Sequence, residues 1–275
     1  MKLVLLGVRG STPAPGAEFV RYGGHTSCVA VARAGAQTPS LILDAGTGLR
    51  GATALLRGAA FRGAIVLSHL HWDHAQGLPF FIAGDRDDAV VDLYCPAQDG
   101  LPGRDLLARL MSPPIFPIYP EGLKGRWAFH ALESGDHVID GFHVTSFDVG
   151  HKGGRTFGYR IEDGESSVVY IPDHAPAAGR SEGALTAISA ADVLIHDAQF
   201  LQGERAMADA YGHATIDDAV DLAVAAGVGT LVLFHHGPAR TDDQLDAIVE
   251  SLSPRPQLRI VAAREGDVMH VPSAG

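Results

Sequence analysis

The chain has 275 residues and a formal net charge of −11, from 21 Lys and Arg against 32 Asp and Glu, with 46% hydrophobic and 19% charged residues. That composition offers enough apolar surface to offset chain entropy, so a disordered chain is excluded, and its acidity argues against a broad nucleic-acid footprint or an anionic membrane surface. Two cysteines, Cys28 and Cys95, are too few for a disulfide framework or a zinc ribbon, and imply reduced thiols in a cytoplasmic protein.

The length suits one layered α/β domain over residues 1–275. Apolar Leu3–Val8 is too short for a signal-peptide core, and no stretch nears the roughly 20 apolar residues that span a bilayer. In chain order, Leu3–Val8, Ser27–Arg33, Leu41–Asp44 and Ala64–Ser68 read as strands, with Leu49–Leu56 helical. Val90–Tyr94 follows as strand and Arg104–Met111 as helix. The four prolines of segment 112–120 remove donors and fix φ, which makes it a stiff loop. Trp127–Leu132, His143–Phe147, Thr156–Ile161 and Ser167–Ile171 read as an antiparallel meander with turns at Asp140-Gly141 and Asp163-Gly164. Then come helix Glu182–Ser189, strand Val193–His196, and helix Ile216–Ala226 ended by Gly227. Strand Thr230–Phe234, a helix over Asp242–Leu252 capped by Thr241, and strands Leu258–Ala262 and Asp267–Val271 complete the chain. The pattern predicts a four-layer αβ/βα sandwich of two similar halves.

Fourteen histidines stand out, and the densest group follows a buried strand: His69-Leu70-His71-Trp72-Asp73-His74. Imidazoles and a carboxylate at this spacing suit zinc, manganese or iron, and no thiolate lies nearby to favour a soft metal. Four donors on one turn cannot close on a single ion without strain, so a pair of ions sharing further ligands is expected, zinc first.

The His-x-His-x-Asp-His element resembles the hallmark of the metallo-β-lactamase fold hydrolases. Leu43-Asp44-Ala45-Gly46-Thr47-Gly48 is similar to that family's first motif, whose Asp supports the metal loop. His151 in Asp-Val-Gly-His matches the third motif, Asp173 in Tyr-Ile-Pro-Asp the bridging aspartate, and His235 in Leu-Phe-His-His the last ligand. The resemblance implies that His69, His71 and His151 hold one ion and Asp73, His74 and His235 the other, with Asp173 bridging. His143 is a rival to His151, and His236 to His235. Adjacent strand residues point to opposite faces, so only one of the last pair can enter the site. Two divalent cations would leave net positive charge beside two aspartates, which implies a small anionic substrate.

Three further segments resemble the phosphodiesterase branch, which includes ribonuclease Z. They are Leu6–Pro13 with Gly23–Ser27, Gly212-His213-Ala214-Thr215, and His196-Asp197-Ala198, the last with Asp where ribonuclease Z has Glu. That family carries its tRNA-grasping arm between the third-motif histidine and the bridging aspartate. Here the interval is 173 − 151 = 22 residues, which two strands and a turn already consume.

The leading expectation is therefore hydrolysis of a small phosphodiester such as a cyclic nucleotide, by a water that two divalent ions deprotonate and Asp73 orients. His213 is the candidate acid for the departing alkoxide, against a plain role in capping the helix at Ile216; His25 and His174 are weaker candidates. Hydrolysis of a carboxylic ester, lactone or thioester is the alternative; tRNA 3′-end cleavage and a non-catalytic nucleotide-binding module rank below. A homodimer is compatible with the family. Arg9, Arg21, Lys152 and Arg155 read as solvated charges before phosphate contacts, Trp72 as packing beneath the metal loop before stacking on a base, and segment 112–120 as either an aromatic pocket rim or a connector. His130, His137, His143 and His270 read as ordinary surface histidines.

Overall fold

The computed structural model describes residues 1–176 and 182–271. Its strands are β1 Lys2–Gly7, β2 Cys28–Ala32, β3 Leu41–Leu43, β4 Arg62–Val66, β5 Val90–Pro96, β6 Arg126–Leu132 and β7 Gly135–Ile139. They continue as β8 Phe142–Val149, β9 Thr156–Glu162, β10 Ser167–Ile171, β11 Val193–Asp197, β12 Thr230–Phe234, β13 Arg259–Ala262 and β14 Val268–His270. Helices are α1 Leu49–Leu55, α2 Trp72–Ala75, α3 Gly103–Ala108, α4 Glu182–Ile188, α5 Arg205–Tyr211, α6 Ile216–Ala225 and α7 Asp242–Ser251.

Two seven-stranded sheets form, in the orders β14-β1-β2-β3-β4-β5-β6 and β13-β12-β11-β10-β9-β8-β7. Both combine an antiparallel part with a parallel run. The parallel runs are β3 to β6 in the first sheet and β10 to β13 in the second. This shared pattern makes the halves alike, and β14 returns from the second half to close the first sheet against β1.

Alternation along the strands builds the layers. Leu3 and Leu5 of β1, Leu41 and Leu43 of β3, and Val193 and Ile195 of β11 enter the core between the sheets. The intervening Val4, Leu6 and Ile42 pack outward in an apolar layer with residues of α1, α2 and α3, and Leu194 outward in one with residues of α4 and α6. With both faces covered, these strands read as continuous apolar runs rather than alternating ones. The expected four-layer sandwich is what the chain forms.

Two expectations need correction. Trp127–Leu132 is not part of the antiparallel meander: as β6 it pairs in parallel with β5 at the edge of the first sheet. The meander opens instead with β7, whose polar sequence Gly-Asp-His-Val-Ile gave no strand signal. Its turn to β8 is the expected Asp140-Gly141, and both residues have positive φ, 49° and 76°, as a tight hairpin turn of primed type requires. Helix α5 also carried no sequence prediction.

Candidate metal-dependent active site

The site forms where strands of both sheets end. In the first sheet β3 delivers Asp44, and β4 leads through Ser68 to His69, His71 and α2, with Asp73 and His74. In the second, β8 leads to His151, β10 to Asp173, β11 ends on Asp197, and β12 leads to His235. Asp44 and His235 directly follow their strands and both adopt left-handed backbone, φ 58° and 56°. That conformation turns each side chain out of the strand's alternation, and Asp and His tolerate it better than most residues. Gly46 lets the first-motif turn press against the metal loop: a Cβ there would stand 2.2 Å from the Asp73 carbonyl oxygen.

Two groups of donor atoms converge across the sheets, His69, His71, His151 and Asp173, and Asp73, His74 and His235, and a third, Asp173, His213 and His235, overlaps both. Asp173 Oδ2 lies 3.3 Å from His151 Nε2 and 3.6 Å from His69 Nε2, and His151 Nε2 is 3.3 Å from His71 Nδ1. Asp173 Oδ1 faces the other group, 3.2 Å from His74 Nε2 and 3.1 Å from His235 Nε2. Asp73 Oδ2 closes that group at 3.2 Å from His74 Nε2 and 3.1 Å from His235 Nε2. A tetrahedral shell at about 2.0–2.2 Å has ligand atoms about 3.3–3.6 Å apart, close to these spacings. Moreover, His69 Nε2, His74 Nε2 and Asp173 Oδ1 are buried with no hydrogen-bond partner among the described residues. These atoms are near one another without being aimed at one another, which fits donors turned toward shared centres. The residues can hold divalent ions.

Protonation supports this for the histidines of the first group. Burial, with neighbouring imidazoles, pushes His69 and His71 below the ordinary histidine range, and burial does the same to His151, leaving neutral rings with free lone pairs. Burial opposes charge on Asp73 and Asp173 too, but the facing His74 and His235 outweigh it and hold both carboxyls well below the usual range.

The rear nitrogens of the imidazoles are fixed by their surroundings. His74 Nδ1 donates to Asp44 Oδ2 at 2.7 Å, His69 Nδ1 donates to Ser68 Oγ at 3.0 Å, and His151 Nδ1 donates to the Gly212 carbonyl at 2.6 Å. Asp44 also accepts from Ser68 N at 2.6 Å, Ser68 Oγ at 2.8 Å and Tyr170 OH at 2.8 Å. The Ser11 amide donates to Asp73 Oδ2 at 2.8 Å. Such contacts set tautomer and ring orientation.

A family model described as "Beta-lactamase superfamily domain" matches residues 40–236. The chain belongs to that superfamily. It is 28% identical to ribonuclease Z of Mycolicibacterium paratuberculosis, over 98% of this chain and 97% of that one. Among solved structures, the short form of human tRNase Z superposes with a TM-score of 0.69 at 20% identity, covering 99% of this chain and all of that one. A diphosphatase of the PhnP family gives 0.70 at 17% identity over 99% of both chains. The chain is thus a metallo-β-lactamase fold hydrolase.

Within this superfamily member, a cleft of about 620 Å³ opens beside the clusters, with His71, His151 and His213 on its inner wall and Ser11, Gln199 and Arg240 around it. His213 follows Gly212, whose left-handed φ of 81° ends α5. Its Nδ1 lies 2.9 Å from Asp197 Oδ2 and 3.9 Å from Asp173 Oδ2, so it is hydrogen-bonded to Asp197 while also forming a donor group with Asp173 and His235. Burial lowers its basicity, but Asp197 outweighs burial and lifts the pKa to about 9. Asp197 is itself fixed by the amides of His174, Gln199 and Ala214. Capping of α6 falls to Thr215, which accepts from Asp218 N, and not to His213.

The rivals separate cleanly in space. His235 faces the clusters, whereas His236 Nε2 donates to the Ala263 carbonyl at 2.9 Å. His143 pairs with Glu162 and Asp136 on the exterior, far from the place His151 takes. His25 lies beside Thr47 and Glu265, and His174 packs on His196. Two expectations fail here. Arg9 is not a solvated charge: it is fully buried, donating to the Gly23, Gly237 and Arg240 carbonyls and pairing with Asp242. Trp72 is not packed beneath the loop; it is 71% exposed and edges an apolar cavity of about 360 Å³ that Ile115 and Phe116 of the proline-rich segment also line. Arg21 and Arg155 are surface ion pairs, and Lys152 Nζ donates to the Ala210 carbonyl. Asp197 and Gln199 were given no role from sequence; the only signal was the likeness of His196-Asp197-Ala198 to a His-Glu-Ala segment.

Proposed function

We propose that this enzyme hydrolyses a small phosphodiester, such as a cyclic nucleotide. The observation that carries the reading is the cleft: it brings His213, hydrogen-bonded to Asp197, to the same wall as His71 and His151, in a space of about 620 Å³ suited to a small molecule. His69, His71 and His151 with Asp173 Oδ2 would hold one ion, and Asp73, His74 and His235 with Asp173 Oδ1 the second. Bound there, two divalent ions, zinc first, would bring the pKa of water toward neutrality and offset charge growing on phosphoryl oxygens.

The chain's own residues do the rest. Asp173 spans the clusters and fixes their separation. Asp73, oriented by the Ser11 amide, would orient the attacking water. Asp197 holds His213 through Nδ1, which leaves Nε2 to give its proton to the departing alkoxide.

The relatives named ribonuclease Z raise tRNA cleavage as a second reading. It is disfavoured because β9 and β10 and their turn occupy the interval between His151 and Asp173, leaving no room for an arm, and because the chain carries a net charge of −11. The test is turnover of bis-p-nitrophenyl phosphate and of a cyclic-nucleotide panel with added zinc or manganese. Wild type is expected to turn over and His71→Ala to lose activity. Turnover confined to esters, lactones or thioesters, or to precursor tRNA, would reject the proposal.

A further inference from the structure

His235 differs from three of the other imidazoles of the clusters. His69, His74 and His151 each have a rear-nitrogen partner, but the Nδ1 of His235 is buried with no partner among the described residues. If Nε2 meets an ion, Nδ1 carries the proton and becomes a buried donor, which is costly when unpaired. A matching orphan lies opposite. Gln199 is 7% exposed, and its Oε1 is likewise buried and unpartnered among the described residues.

Gly10 shows that the two atoms share one small space. A Cβ on Gly10 would stand 2.4 Å from His235 Nδ1 and 2.6 Å from Gln199 Oε1, so any side chain there would wedge between donor and acceptor. Gly10 has no left-handed φ to account for its being glycine; space alone accounts for it. At its other end, Gln199 Nε2 donates to Ser11 Oγ at 3.4 Å, which fixes the end of the carboxamide that faces His235. The Gln199 amide N–H in turn donates to Asp197 Oδ1 at 3.1 Å, anchoring the backbone.

We infer that Gln199 is a positioning residue for His235: its Oε1 accepts the Nδ1–H hydrogen bond through the notch that Gly10 keeps open, and so fixes the tautomer that presents Nε2 to Asp73 and Asp173. The soft terminal torsion of the glutamine side chain closes the bond with little movement. This inference rests on the reading that His235 ligates an ion. Gln199 also lines the cleft, so its position links one ion's support to the wall that substrate meets.

The experiment titrates zinc into the metal-free full chain, against a chromophoric chelator, for wild type and for Gln199→Met, Gln199→Glu, Gly10→Ala and His235→Ala. KM and kcat on bis-p-nitrophenyl phosphate are read in parallel. Gln199→Met removes the acceptor at similar volume and is expected to weaken one of the two ions by about 10–100-fold, leaving the other unchanged. Gln199→Glu keeps an acceptor and is expected to stay within a few-fold of wild type. Gly10→Ala, which leaves the carboxamide in place but fills the notch, is expected to weaken the same ion. Wild-type affinity for both ions in Gln199→Met overturns the inference, and a raised KM with unchanged ion binding would make Gln199 a substrate contact instead. Failure of the underlying reading looks different: His235→Ala would then bind both ions as wild type does.

Discussion

His213 and Asp197 carry a single balance of forces. Burial alone would strip the imidazole of its proton, and the carboxylate 2.9 Å away restores it, lifting the pKa to about 9. A histidine raised in this way is protonated through neutrality and loses its proton only as pH rises through about 9. Activity that needs it as an acid therefore declines on the alkaline side. Asp197→Asn keeps a polar atom beside Nδ1 but removes the charge, so burial prevails and the alkaline limb moves to lower pH by more than one unit; superimposable pH–rate profiles would refute this. His213→Ala is expected to cost about 10²–10⁴-fold in kcat while zinc content measured on the protein stays unchanged. A fall in zinc content would instead make His213 a ligand. The candidate acid was legible from the Gly-His-Ala-Thr string through its resemblance, but its pairing was not, because the partner lies 16 residues away on β11.

Elements meet the site at their ends, and the sheets are tied together behind it. Tyr170 of β10 reaches across the inner core to give its hydroxyl to Asp44, which follows β3, and Tyr159 of β9 gives its hydroxyl to the Leu67 carbonyl after β4 at 2.7 Å. Both tyrosines are fully buried. Tyr170→Phe leaves the ring packing and removes one of the donors to Asp44, so a loss of about 1–3 kcal/mol is expected in urea unfolding of the metal-free protein. Unchanged stability would mean that Ser68 and His74 satisfy Asp44 without it.

What could be read at this scale follows from where each element's information lies. The HxHxDH turn, the Thr241 cap and the Asp140-Gly141 turn are local chemistry and are legible residue by residue. The placement of β6 is not local. A strand's own alternation says which face is buried but not whether its neighbour runs parallel, and β6 is set by its register on β5, Val90 opposite Arg126. Polar β7 exists because β8 offers it an edge, and α5 because Gly212 can end it. Trp72 was misread for the same reason, since a turn's sequence does not say which of its side chains faces out.

At the scale of the whole molecule, the two clusters that would hold the ions each draw on both sheets, while the third group, Asp173, His213 and His235, comes from the second half alone. His69 and His71 come from the first and His151 and Asp173 from the second; Asp73 and His74 from the first and His235 from the second. An ion in either cluster therefore bridges the halves, so it binds the folded chain and not the unfolded one. By linkage, free ion at about 100 times its Kd adds about 2.7 kcal/mol. In a chain of this size that corresponds to a Tm rise of roughly 5 °C per ion over the chelator-treated protein. The rise should depend on pH. Although burial opposes it, Asp73, Asp173 and Asp44 together hold the metal-free His74 well above the ordinary histidine range, so it carries a proton at neutrality that an arriving ion must displace. Ion affinity is thus expected to increase as pH rises toward that raised pKa, with proton release visible as a buffer-dependent heat in calorimetric titration. Ion binding with no proton release at pH 7, or an identical Tm with zinc and with chelator, would show that the clusters do not clasp the sheets together.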